Sequence, residues 1–159
     1  MPPAGQFGPT DFLTETTNFM QTTLAILKPD TVAAGNAGKV LAHLEKEGFT
    51  IRGLRVLHLT DAQAKAFYEV HKERPFYGSL VEFMTSGPVI PVALEREEAV
   101  TQLRKVMGAT DVSKAEDGTI RKLHGTSIER NAIHGSDSPE NAAIELAFFF
   151  SRAELLAAR

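Results

Sequence analysis

The chain has 159 residues, 43% hydrophobic and 23% charged, with a formal net charge of −3; this suits one ordinary globular domain, and the slight acidity argues against nucleic acid as its main partner. It contains no cysteine, which excludes disulfides, thiol catalysis and cysteine-held zinc, and suits a reducing, cytoplasmic setting. No apolar run approaches the ~20 residues needed to span a bilayer, and the first basic residue is Lys28, so the start lacks the charged segment of a signal or transit peptide.

Residues 1–21, rich in Pro, Gly and Thr, read as an N-terminal extension, and residues 22–159 as a single domain. Thr22–Leu27 is a short apolar run closed by Lys28-Pro29-Asp30, a buried strand with a turn behind it. Ala37, Val40, Leu41 and Leu44 recur at helical spacing, and Gly48 closes that helix. Phe49–Leu59 alternates in its second half and predicts a strand, with Leu54, Val56 and Leu57 opposed to Arg55 and His58. Thr60-Asp61-Ala62-Gln63 has the form of a capping box opening a helix to about His71. After a Pro- and Gly-punctuated stretch, a short helix is expected around Leu80–Met84. Val89–Leu94 predicts a third strand that tolerates Pro91 only at an edge or bulge, and Glu95–Met107 a long helix. Gly108–Gly118 reads as a polar loop and Thr126–Arg130 as a capped helical turn. A helix opens at Ser138-Pro139-Glu140, and Leu146–Phe150 reads as a fourth, apolar strand. Helices alternating with strands predict an α/β sandwich: a ferredoxin-like βαββαβ core, with a four-stranded antiparallel sheet and surrounding helices.

Several site chemistries fail on spacing. Gly35–Val40 has two residues between its glycines where a phosphate loop needs four, and no Ser or Thr follows Lys39. The five histidines show no HExxH spacing, and Gly135-Ser136-Asp137 lacks the glycines of a nucleophile elbow. His134 stands apart, set among small and polar residues in Asn131–Ser138. Read alone, it is either a loop residue with a local hydrogen bond or a nucleophile whose ring is held by Glu145, eleven residues on. Lys28, Arg104 and Arg121 each sit at the end of a regular element. They serve either to solvate helix ends or to clamp a phosphoryl group. Phe76, after Pro75, is a core anchor or a stacking platform for a base.

Six segments then resemble, in order, the nucleoside diphosphate kinase family: Ala25–Asp30, Arg74–Phe76, Ser86–Val89, Arg104 with Met107–Thr110, Gly118–Arg121, and Asn131–Ser138. The resemblance implies transfer of the γ-phosphoryl of a nucleoside triphosphate to a nucleoside diphosphate by a ping-pong route through phosphohistidine. It implies His134 as nucleophile through Nδ1, Glu145 as its orienting carboxylate, Ser136 as support of the histidine loop and Tyr68 as a neighbour. Phe76 and Ile128 match the two faces of the base site, with His71 at the rim. Lys28 and Asn131 match ribose contacts, Lys28 lying also near the transferred phosphoryl, and Arg104, Thr110 and Arg121 match phosphate ligands. Magnesium is expected to arrive on the nucleotide phosphates, with no cage of protein ligands. A base held by stacking implies broad specificity. Family members are hexamers or tetramers built from a common dimer, so a homo-oligomer is implied. Asp111-Val112 and Asp117 depart from the family's usual loop residues. The competing readings are a nucleotide-binding regulatory module with little turnover, and an RNA-binding sheet, whose aromatic strands this chain lacks.

Overall fold

The computed structural model describes residues 20–159; the expected extension lies outside them, apart from Met20 and Gln21. Elements run β1 (Met20–Leu27), α1 (Pro29–Ala33), α2 (Ala37–Lys46), β2 (Thr50–Leu54), α3 (Asp61–Phe67), α4 (Tyr77–Met84), β3 (Ile90–Glu97), α5 (Ala99–Met107), α6 (Ile120–His124), β4 (Ile133–Gly135), α7 (Pro139–Phe149) and α8 (Arg152–Ala157). Short 3-10 turns cover Glu69–His71 and Val112–Lys114. The sheet order is β2-β3-β1-β4 with every pair antiparallel, the ferredoxin-like arrangement.

Strand periodicity explains the layering. Successive side chains point to opposite faces, so Ala25 and Leu27 of β1 join Val92 and Leu94 of β3 in one core, under α2 and α5. Leu24, Ile26 and Ala93 enter a second core with Leu59, Tyr68, Met84 and Leu146, beneath α3, α4 and α7. Because both faces are covered, the middle of the sheet reads as an unbroken apolar run. The end signals act as expected. Thr60 and Gln63 form a reciprocal capping box, and the Ser138 hydroxyl accepts from the Asn141 N–H with Pro139 at the first helical position.

Six expectations fall. Leu146–Phe149 is the C-terminal part of α7, and the fourth strand is Ile133–Gly135, which carries the histidine. An apolar run of five cannot by itself tell a strand from a buried helix end, and the Ser-Pro start carries the helix through to Phe149. Lys28-Pro29-Asp30 is not a simple turn but leads into α1. The strand continues to Glu97, and α5 begins only after Glu98, which adopts φ 49°. Thr126–Arg130 forms no helical turn: the Thr126 N–H donates to the Arg130 carbonyl at 2.8 Å, folding the segment back on itself. Leu54 and Val56 are exposed, because β2 ends at Leu54 and the ladder slips between Ile51 and Gly53. Pro91, finally, lies in a central strand and not at an edge. Its carbonyl accepts from the Arg55 N–H, so its missing donor faces chain that has already left the ladder.

Candidate active site

His134 is placed by the pairing of β4 with β1, where it stands opposite Ile26. Its neighbour Ile133 enters the core under α5, so alternation turns the imidazole to the other face, toward α3 and α7. There the Phe67 and Tyr68 rings meet it edge-on, with centroids 5.5 and 6.2 Å away. Glu145 comes down from α7, fixed between buried Ala142 and Leu146, and its Oε1 lies 2.5 Å from Nε2 of His134. A carboxylate only accepts, so Nε2 carries the proton and the neutral ring keeps its lone pair on Nδ1. The Ser136 hydroxyl donates to the same oxygen at 3.3 Å. Tyr68 is fully enclosed; burial, and then the charge of Glu145, push its phenol above the ordinary range.

The turn before β4 is unusual. Ala132 has φ 75°, and the Ile133 N–H donates to the Asn131 carbonyl at 2.9 Å, a γ-turn of the rarer, positive-φ kind. Such a conformation costs on the order of 1–3 kcal/mol and persists only where its surroundings enforce it. Here the start of α1 does so. The Asp30 carboxylate accepts from the Ala132 N–H at 3.0 Å, while the Thr31 hydroxyl and the Lys28 N–H both donate to the Ala132 carbonyl, at 2.8 and 2.9 Å.

Beside the histidine strand is a cavity of about 550 Å³ whose lining includes Arg104, Gly108, Thr110, Thr119 and Arg121. Arg121 spans its wall, donating to the Gly108 carbonyl at 3.0 Å and to the Ile133 carbonyl at 2.9 Å. Burial first, then the charge of Arg104, lowers Arg121 to about 10. Lys28 is lowered to about 8 by burial and then by Arg121, against the raising effect of Asp30 and Glu129. Gly108 has φ 86°, and a Cβ there would fall 2.5 Å from the Thr119 hydroxyl, so the cavity floor requires glycine. Asn131, buried, donates from Nδ2 to the Thr110 carbonyl at 3.2 Å and leaves Oδ1 without a partner.

The expected site residues therefore fall into connected groups. His134, Glu145, Ser136 and Tyr68 form one cluster. Arg104, Thr110 and Arg121 share the cavity, Asn131 reaches its rim, and Lys28 bears on Arg121. Phe76 and Ile128 are apolar yet 46% and 62% exposed, as suits surfaces that await a flat ligand, and His71 stacks on Tyr68 and lies tilted against Phe76. Sequence reasoning missed Asp30 and Thr31, which hold the strained turn, and Phe67, which packs on the imidazole. Asp30 had a legible signal, an acidic residue in the first turn behind Pro29; Phe67 had none.

A ferredoxin-like sheet with a carboxylate-held imidazole at one strand and arginines lining the cavity beside it defines a phosphotransferase. The sequence profile described as nucleoside diphosphate kinase matches residues 21–155. A nucleoside diphosphate kinase of Rhodopseudomonas palustris is 55% identical over 137 residues, covering 86% of this chain and 98% of that one. Among solved structures, the Aquifex aeolicus nucleoside diphosphate kinase superposes with a TM-score of 0.83 at 45% identity, covering 86% of this chain and 99% of that one. A halophilic nucleoside diphosphate kinase from Halobacterium salinarum, solved in complex with CDP, gives 0.82 at 36% identity, covering 86% and 91%. The chain belongs to the nucleoside diphosphate kinase family and is an enzyme of the phosphotransferase class. Among the described residues no helix is long and apolar enough to cross a membrane.

Proposed function

We propose that this nucleoside diphosphate kinase carries the phosphoryl group on Nδ1 of His134 between a nucleoside triphosphate donor and a nucleoside diphosphate acceptor. The observation that carries this reading is the hydrogen bond from Nε2 to Glu145, which fixes the tautomer and leaves Nδ1 as the nucleophile. The lone pair attacks the γ-phosphorus, the bond to the β–γ bridging oxygen breaks, and the diphosphate leaves. The ring then carries positive charge, which the Glu145 carboxylate stabilises. An acceptor diphosphate reverses the sequence on the same atom.

Lys28, Arg104 and Arg121 balance the charge that spreads over the transferring oxygens. Thr110 and Arg104 bind phosphate at the mouth of the cavity, and the free Oδ1 of Asn131 accepts from a ribose hydroxyl. Phe76 and Ile128 take the base between them. Arg104, Lys105, Lys114 and Arg121 against the single carboxylate of Glu116 make the cavity lining cationic on balance, a set that fits phosphate oxygens. Magnesium accordingly belongs to the substrate, bound through the nucleotide phosphates, where it neutralises charge. Stacking gives little purchase on base identity, so specificity is broad.

Two cores sharing one sheet support reading residues 22–159 as one domain. The family resemblance supports a homo-oligomer, either a hexamer or a tetramer, built from dimers, and the absence of cysteine suits the cytoplasm. The ping-pong route is tested by its half-reaction: with ATP as the sole nucleotide added, each site must release one ADP and keep the phosphoryl group. A requirement for both nucleotides at once rules the route out.

A further inference from the structure

The two apolar faces assigned to the base come from distant parts of the chain. Phe76 is the N-cap of α4, and Ile128 projects from the folded-back loop 126–130. Neither belongs to a core cluster, so their separation is set by something other than apolar packing. Two consecutive loop residues make the connection. Glu129 Oε2 accepts from the Ser79 hydroxyl at 2.8 Å, and the same hydroxyl lies 3.1 Å from the Phe76 carbonyl. Arg130 lies over the Phe83 ring, 5.0 Å from its centroid and one turn further along α4. The Arg130 N–H also donates to the Ser127 hydroxyl at 2.9 Å, so the loop is braced internally and follows its attachment.

We propose that Ser79 and Glu129 form a latch that sets the width of the base slot, and that Glu129 is a positioning residue for nucleotide affinity. This rests on reading Phe76 and Ile128 as the base-binding faces. A base sandwiched at contact distance needs faces roughly 7 Å apart, twice the ~3.5 Å carbon contact. A loop held only by Arg130 over a ring can swing, whereas a short hydrogen bond to the hydroxyl beside Phe76 ties one face to the other. The latch leaves His134, Glu145, Arg104 and Arg121 untouched, and although the Glu129 charge bears on Lys28, Ser79→Ala keeps that charge, so opening the latch there weakens binding and leaves the chemistry intact.

The test is steady-state kinetics on the full chain with ADP and UDP as acceptors, alongside labelling of His134 by phosphoramidate, a donor with no base. Ser79→Ala and Glu129→Ala each raise KM on the order of fivefold, the worth of one hydrogen bond, with kcat held within about twofold. The double variant is no worse than either alone, because the two remove the same contact. Glu129→Gln, which keeps an acceptor oxygen, restores a KM near that of the parent, and labelling by phosphoramidate is unchanged in Ser79→Ala, which keeps the Glu129 charge. If Phe76→Ala raises KM but the latch variants do not, the latch is wrong. It is equally wrong if Glu129→Gln loses as much as Glu129→Ala, since the charge facing Lys28 is then what matters. If Phe76→Ala also leaves KM unchanged, the base slot itself is misassigned and the latch falls with it.

Discussion

Lys28 and Arg121 are two buried cations that repel one another, and neither has an ion-pair partner within 4.0 Å among the described residues. Two uncompensated charges out of water destabilise a fold. An arriving polyphosphate supplies the missing anion, so the arrangement trades stability for affinity.

Lys28→Met therefore stabilises the protein while disabling it. The folded-state pKa of about 8 lies below the ordinary 10.5. Between those values the unfolded chain holds a proton that the folded chain has lost, so stability rises with pH across that window, and below pH 8 the penalty is present in full. Removing the charge recovers on the order of 3 kcal/mol at pH 7 at most, measured by denaturant unfolding. In the parent, kcat/KM falls above about pH 8 as Lys28 deprotonates; a flat profile to pH 10 contradicts this role.

Arg104 and Arg121 separate on stability. Arg104 is exposed, so Arg104→Ala unfolds within about 0.5 kcal/mol of the parent yet binds ADP poorly. Unlike the Lys28 ammonium, the Arg121 guanidinium donates to the carbonyls of Gly108 and Ile133; leaving both without that donor outweighs the relief of charge, so Arg121→Ala destabilises by about 1–3 kcal/mol and loses activity. Thermal unfolding beside calorimetric ADP titration distinguishes the two. Equal stabilities leave Arg121 no structural part.

Glu145→Ala frees the imidazole to rotate and to exchange tautomers. A misplacement of that kind costs on the order of 100-fold in kcat with little change in KM. Pre-steady-state phosphorylation measures it directly, and a loss confined to KM would show that Glu145 acts on binding.

These residues also mark where sequence is informative. The capping box at Thr60, the Ser138-Pro139 start and the glycine ending α2 were legible because each is local chemistry over four residues. The β4 strand was not, because three residues of mixed character carry no period, and Leu146–Phe149 looked like a strand only while its helix was counted as over. The identities of His134, Glu145 and the cations were legible by resemblance. What sequence withheld was convergence: Arg121 ties the cavity to the histidine strand through carbonyls 13 and 12 residues away, and Asp30 and Thr31 hold Ala132 in its turn from 102 and 101 residues away.

Phe76→Ala tests stacking. Losing one base–aromatic contact worth ~1–3 kcal/mol raises KM roughly 5- to 150-fold for purines and pyrimidines alike. A parent enzyme preferring one base class several hundredfold in kcat/KM would mean that edge contacts, not stacking, read the base.

The most direct measurement is to catch the phosphate on the enzyme. Incubated with γ-labelled ATP and magnesium, the protein takes up acid-labile, base-stable label at His134 and passes it to UDP on chase, while His134→Ala takes up none. No phosphoenzyme, or undiminished label in His134→Ala, contradicts His134 as the phosphoryl carrier.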